Sequence, residues 1–172
     1  MSAILKEQQI LIMISRVLEC FDVLGYYGNH ITFFMGACFL FFRKVYLVFF
    51  FGGRMLQSIC EHVLKAVLKD PRPEGDFNLC KEKEIRTLPS DRNGMPSGHA
   101  AATFYVTYYI TRVLQNFKVS FIFLILSINT CIQRVRYKNH TISQVIAGCL
   151  LGILVAEITY RVAKNYIKIK CA

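Results

Sequence analysis

At 172 residues the chain is one domain long, enough to build a core of its own. Its composition excludes an ordinary soluble globule: 54% of the residues are hydrophobic and Phe alone occurs 14 times, which reads as a polytopic membrane protein. The formal charge of +10 falls in clusters between apolar runs, where a nucleic-acid binder would carry a stripe on a polar surface. That sets nucleic acid aside and leaves two uses for the cations, contact with an anionic substrate and attachment to anionic headgroups.

Taken in chain order, residues 4–22 are apolar but interrupted by Arg16, Glu19 and Asp22, and the start lacks the basic and small-residue pattern of a signal peptide. The segment reads as a first span or an interfacial helix, and a span makes the helix count even. Gly25 and Gly28 punctuate the chain before the apolar run Ile31–Phe42, which is long enough to cross when counted from Leu24 and ends at Arg43-Lys44. Val45–Leu68 is the third predicted helix. Its Arg54, Glu61 and His62 are expected to face other helices or the rim, because facing lipid is costly, and an internal ion-pair or hydrogen-bond cluster is the plain reading of them.

From Lys69 to Met95 the chain turns polar and holds Pro71, Pro73, Pro89, Gly75 and Gly94. It reads as an extramembrane loop, with Pro71 and Pro73 ending the helix and holding Arg72 extended. Ser97–Val113 is the fourth helix with Ser97 as N-cap. A connector at Gln115–Lys118 leads to the fifth, Val119–Cys131, antiparallel to it. Thr141–Val162 is the sixth, where Gly148 and Gly152 offer a small-xxx-small face. The expectation is an all-α, six-helix transmembrane bundle forming a single domain over 1–172, with its motif-bearing core at about 45–162 and an extramembrane loop at 69–96.

The seven cysteines, at 20, 38, 60, 80, 131, 149 and 171, show no metal-ligand spacing. Five lie in apolar segments and read as small buried hydrophobes, Cys80 stands alone in the loop, and Cys171 is a candidate for acylation. Followed through six spans, Lys65–Arg72, Pro96–His99 and Arg134–His140 emerge at one face. Arg43, Lys44, Arg112, Lys118, Arg161, Lys164, Lys168 and Lys170 lie at the other, which the positive-inside rule makes cytoplasmic.

The three stretches at the first face supply fixed cations and two imidazoles. An arginine fork takes two phosphoryl oxygens at once and a lysine adds a point charge, so Arg72, Arg134 and Lys65 suit a phosphate. Pro96-Ser97-Gly98-His99 opens a helix, whose unpaired N–H groups and positive dipole end accept an anion, with Ser97 able to cap or donate. His140 and Gln144 lie one turn apart on a shared face. A neutral imidazole can attack phosphorus while a second protonates the departing oxygen. Asn139-His140-Thr141 is formally a glycosylation acceptor, set aside because a glycan would stand against both the membrane and His140.

These stretches resemble the three signatures of the type-2 phosphatidate phosphatase superfamily, Lys-x6-Arg-Pro, Pro-Ser-Gly-His and Ser-Arg-x5-His-x3-Asp. Here they stand as Lys65 to Arg72-Pro73, Pro96 to His99, and Gln133-Arg134 to His140 with Gln144. The resemblance implies His140 as nucleophile, His99 as acid for the leaving group, and Lys65, Arg72, Ser97, Gly98 and Arg134 as phosphate ligands. It also implies a six-helix membrane fold, a membrane lipid phosphate as substrate, and no metal or other cofactor. Two positions depart from the pattern, Gln133 for serine and Gln144 for aspartate. A glutamine can orient the imidazole but cannot neutralise it, which leaves an inactive membrane scaffold of the same fold or a branch that works with glutamine.

The run His140-Thr141-Ile142-Ser143-Gln144-Val145, the lead-in Gly94-Met95-Pro96-Ser97 and the stretch Asp70-Pro71-Arg72-Pro73 resemble the dolichyl-diphosphatase branch. That resemblance implies removal of the terminal phosphate of dolichyl diphosphate at the lumenal face of the endoplasmic reticulum. The loop from Glu74 to Asn93 is longer and more charged than the branch leads one to expect. The last five residues, Lys168-Ile169-Lys170-Cys171-Ala172, look like a cytosolic Lys-x-Lys-x-x retrieval signal or a basic anchor at the headgroups, either of which puts the C-terminus in the cytosol.

Overall fold

The computed structural model describes residues 3–75, 77, 79 and 92–170. Among the described residues six helices follow one another: α1 Ala3–Tyr26, α2 Gly28–Leu40, α3 Lys44–Leu68, α4 Gly98–Leu114, α5 Phe117–Arg136 and α6 Ile142–Lys170. Among the described residues, β pairing is confined to one isolated bridge between Pro71 and Asn93. Cys80, Pro89, Cys171 and most of the charged loop lie outside the described residues, as does the end of the basic tail.

Helix α4 is the hub, packed against α2, α3, α5 and α6, while α1 leans on α5. Ala100, Ala101, Tyr105, Val106, Tyr109 and Ile110 are fully buried on it. Between helices in lipid the attraction comes from close packing and hydrogen bonding, since the surroundings are as apolar as the side chains. The α4–α6 seam is built accordingly. A side chain at Gly148 would strike the carbonyl of Ser97, and one at Gly152 the carbonyl of Ala101, so these glycines let the two backbones touch. On the α3 side Tyr105 donates its hydroxyl to the Phe50 carbonyl at 2.8 Å and Tyr109 to the Tyr46 carbonyl at 2.9 Å. The Phe33, Phe50, Tyr105 and Tyr109 rings fill the space between.

Several boundaries differ from those read in the sequence. The chain breaks at Tyr27, so α1 absorbs Leu24 and α2 has 13 residues, about 20 Å of helix. The break falls where Gly28 comes against the Thr130 hydroxyl of α5, an approach that leaves no room for a side chain. Helix α5 continues past Cys131 to Arg136, which puts Gln133 and Arg134 in its last turns. Helix α6 starts after His140 and runs to Lys170, because the Lys-rich end continues the helix beyond the apolar span. The cysteines expected in the core are less enclosed: Cys20 and Cys38 are exposed and Cys60 is half-buried, while half-buried Cys131 and Cys149 meet across α5 and α6 with their sulfurs 3.8 Å apart.

By length and composition, α5 and α6 are each able to cross a membrane. Helices α2 and α4 are shorter, and the apolar stretches of α1 and α3 are interrupted by charged residues, Arg16, Glu19 and Asp22 in the first and Arg54 and Glu61 in the second. In α1 every residue from 7 to 21 is exposed; Asp22 and Gly25 are the docked positions. Asp22 accepts from Arg136 Nη1 at 2.8 Å and from the Tyr137 hydroxyl at 3.1 Å. Of the polar residues on α3, Glu61 is buried as expected and half-buried Arg54 lies within its electrostatic reach.

Candidate active site

The chain order alternates so that the C-terminal ends of α3 and α5 meet the N-terminal ends of α4 and α6. Helix α3 stops at Lys69, whose left-handed backbone (φ 48°) lets its N–H return to the Lys65 carbonyl. The following segment Asp70–Pro73 is tied to the lead-in of α4: Pro71 pairs with Asn93, Gly94 donates to the Asp70 carbonyl at 2.7 Å, and Asn93 Nδ2 donates to the Lys65 carbonyl at 2.9 Å. The first two stretches thus form one small platform.

The third stretch closes over it. After α5 the backbone N–H groups of Asn139 and His140 both donate to the Arg134 carbonyl, a tight turn in which Lys138 takes a left-handed φ of 52°. This turn delivers His140 to Arg72. Arg72 Nη1 donates to the Asn139 carbonyl at 2.9 Å and to His140 Nε2 at 2.9 Å. On the other side of the ring, Nδ1 stands 3.2 Å from Gln144 Oε1.

These contacts determine the tautomer. An arginine has only donors, so Nε2 must accept, and Nδ1 carries the proton that goes to the amide oxygen. The orientation of that amide is determined in turn: Oε1 also accepts from the Thr141 N–H at 3.1 Å, and Nε2 donates to the Asp70 carboxylate and to the Pro71 carbonyl. A flipped amide would set donor against donor and oxygen against oxygen. His140 is buried. Burial, then the charges of Arg72 and Lys65, hold its imidazole well below the ordinary value, while the bond to Gln144 pulls the other way. The ring is neutral, with an unprotonated Nε2 facing a guanidinium.

The remaining candidates cluster around this pair. Lys65 is buried and its Nζ meets Glu61 Oε1 at 2.7 Å. Arg134 is buried, donates through Nε to Gln133 Oε1 at 2.7 Å and lies with Cζ 4.9 Å from the centroid of the Tyr26 ring. His99, in the first turn of α4, is within electrostatic reach of Arg134, His140, His30 and Lys65. Gly98 abuts the Glu61 carboxylate, which a side chain there would strike. Ser97 occupies the N-cap position with extended backbone, yet its hydroxyl bonds no helix amide. This corrects the expected capping, and its buried Oγ has no partner among the described residues. Instead its backbone N–H donates to the Gln144 carbonyl at 2.9 Å, fastening α4 to α6. All eight residues named from the sequence therefore come to one end of the bundle.

Sequence reasoning gave no role to several residues that the site uses. Glu61 was visible as a buried carboxylate, but its partner Lys65, one helical turn on, was not named. Asp70 sits beside the prolines that drew attention to Arg72, with nothing local to show that its carboxylate meets Gln144. Tyr26 and His30 reach the site only because α1 and α2 break at Tyr27.

Residues 43–168 match the PAP2 superfamily, and the chain belongs to it. Among curated relatives it is 29% identical over 135 residues to dolichyldiphosphatase 1 of Dictyostelium discoideum, covering 72% of this chain and 55% of the relative. It is 31% identical over 117 residues to the chloroplastic lipid phosphate phosphatase epsilon 2 of Arabidopsis thaliana, covering 63% of this chain and 36% of the relative. The chain thus spans about half or less of the length of these relatives. No solved structure matches it.

Proposed function

We propose that the protein is a lipid phosphate phosphatase that works through a phosphohistidine, with an isoprenoid diphosphate of the dolichyl type as its substrate. The observation that carries the reading is the pair Arg72–His140: a neutral imidazole whose unprotonated Nε2 lies 2.9 Å from a guanidinium. A phosphoryl group entering between them meets the nucleophile and a two-pronged ligand for its oxygens together. Lys65, Arg134, the Ser97 hydroxyl and the first-turn amides of α4 hold the remaining oxygens.

Nε2 attacks phosphorus, the N–P bond forms, and the P–O bond to the leaving group breaks. His99 delivers a proton to the departing oxygen. Water then attacks the phosphohistidine with His99 as base, releasing phosphate and restoring the ring. The lipid product keeps one phosphate fewer. The positive-inside rule applied to six spans supports this end facing away from the cytosol with both termini cytosolic, and the resemblance to the dolichyl-diphosphatase branch supports the lumenal face of the endoplasmic reticulum.

Substrate choice rests on the Dictyostelium relative and on the glutamine at position 144. The Arabidopsis relative favours a second reading, the same chemistry on another lipid phosphate such as phosphatidate, phosphatidylglycerol phosphate or undecaprenyl diphosphate. The test is phosphate release by the purified protein in detergent, with chelator, from each of these substrates, beside the His140→Ala variant. Dolichyl diphosphate is expected to turn over fastest and the variant to lose activity by about 10³-fold or more. Equal or faster release from phosphatidate defeats the dolichyl assignment. Undiminished release by His140→Ala ends the mechanism, and an inert wild type on the whole panel leaves a membrane scaffold.

A further inference from the structure

An attacking imidazole gains positive charge as its lone pair goes to phosphorus, and Gln144 is neutral. The fold brings a carboxylate to the far side of that glutamine. Asp70 Oδ2 accepts from Gln144 Nε2 at 2.5 Å across 74 positions of sequence. We propose that Asp70 is the carboxylate partner of His140, acting through the Gln144 amide as a positioning residue that orients the ring and stabilises its charge. The proposal rests on the phosphohistidine reading above.

The chain of donors runs one way. His140 Nδ1–H donates to Gln144 Oε1, and Gln144 Nε2–H donates to Asp70. A carboxylate at the amide nitrogen draws electron density toward Oε1, which makes that oxygen a better acceptor for Nδ1–H; hydrogen bonds in series strengthen one another in this way. The link is held on every side. Pro71 supplies a second acceptor to the same nitrogen at 2.8 Å, and the Thr141 N–H gives a second donor to the same oxygen. Gly94 lies so close to the carboxamide that a side chain there would strike it. Gly94 also donates its N–H to the Asp70 carbonyl, so the residue that walls in the amide also anchors the backbone of the carboxylate.

The other charged or titratable groups facing His140 are Arg72, Lys65 and Arg134, with His99 within electrostatic reach. Against those cations an imidazolium gains from a carboxylate on the Nδ1 side. During attack the ring keeps its Nδ1 proton, the N–P bond forms, and the leaving oxygen takes the electron pair of the broken P–O bond. Asp70 changes neither bond nor proton count.

The decisive variant is Asp70→Asn, which keeps shape and an acceptor for Gln144 Nε2 while deleting the charge. kcat, KM and the pH profile of kcat/KM are measured on the substrate that wild type hydrolyses, with Asp70→Glu, Gln144→Ala and the double variant alongside. The expected result is a kcat lower by about tenfold with KM within about twofold. The acid limb moves to lower pH, because a ring that has lost a negative neighbour takes up its proton less readily. Asp70→Glu recovers part of the loss, and in the Gln144→Ala background Asp70→Asn costs nothing more. Gln144→Ala alone, which needs no change at Asp70, is expected to shift the acid limb in the same direction.

A wild-type kcat and an unmoved limb in Asp70→Asn overturn the proposal, as do losses that multiply in full in the double variant or an unmoved limb in Gln144→Ala. With wild type active and His140→Ala dead, such results defeat Asp70 alone. An inert wild type defeats the phosphohistidine reading with it.

Discussion

The two ends of the bundle are both rich in cations, but among the described residues only one of them buries any: beside exposed Lys69, Arg136 and Lys138 it encloses Lys65 and Arg134. At the end where α3 and α5 finish, the Lys65 side chain is 4% exposed and Arg134 only 1%. At the other end, Arg112 and Arg161 both reach Glu157 at 2.6 Å with side chains 37% and 73% exposed, and Arg43 Nη1 donates to the Val113 carbonyl at 2.7 Å. Exposed cations there need no ligand, since water or headgroups satisfy them cheaply. Buried cations must be matched by partners built into the fold. The contrast separates an enclosed cluster of cations from an open one, although composition makes the ends look alike.

The sharpest way to break this comparison is Glu61→Gln. The pair Glu61–Lys65 is buried at both partners, and Gln57 Nε2 adds a donor to Glu61 at 3.3 Å. Removing the carboxylate charge breaks this buried pair, and breaking a buried pair costs about 3–5 kcal/mol. Thermal unfolding in detergent should register a large drop in midpoint. A drop no greater than that from neutralising Glu157 would mean that burial does not distinguish the two ends.

Next in size is Arg134→Lys, which keeps the charge and removes the fork. Lysine cannot both face the pocket and keep the Gln133 bond and the Tyr26 ring contact that hold the guanidinium. kcat/KM should fall by about 10²-fold, about 2.7 kcal/mol of transition-state stabilisation. The matching change at the other end, Arg161→Lys, should leave turnover within about twofold. Full turnover in Arg134→Lys would show that charge alone matters and geometry does not, and a similar loss in both would show that the two ends are not distinguished.

How much of this could be read beforehand follows from the range of the contacts. That Lys65, Arg72, His99, Arg134 and His140 come to one end of the bundle was legible because their spacing is carried by single helices and turns. The Gly148/Gly152 seam was legible for the same reason, since a repeat of four marks one helix face. The break at Tyr27 was not, because it answers to Thr130 on another helix. Nor was the partner of Gln144, because Asp70 meets it only after α3 and α6 have docked. Gln144 alone suggested a defect. With Asp70 placed behind it, the position reads as a carboxylate moved one amide further from the ring.

The smallest expected effect belongs to Glu157→Gln. This carboxylate stands between Arg112 and Arg161, and the Arg112 guanidinium lies 4.5 Å from the centroid of the Tyr160 ring. Counted by contacts it is as rich as the pair at Glu61. Its arginines are open to solvent, though, so each loses little hydration in forming the pair and little is lost when the pair breaks; screening lowers the value further. The stacked ring also keeps Arg112 in place without the carboxylate. Stability should change by less than about 1 kcal/mol, and turnover should match wild type. A cost comparable to that of Glu61→Gln would mean the Glu157 cluster is shielded in the bilayer-embedded protein, and the basic end would then have to be reread as a second built site with a ligand of its own.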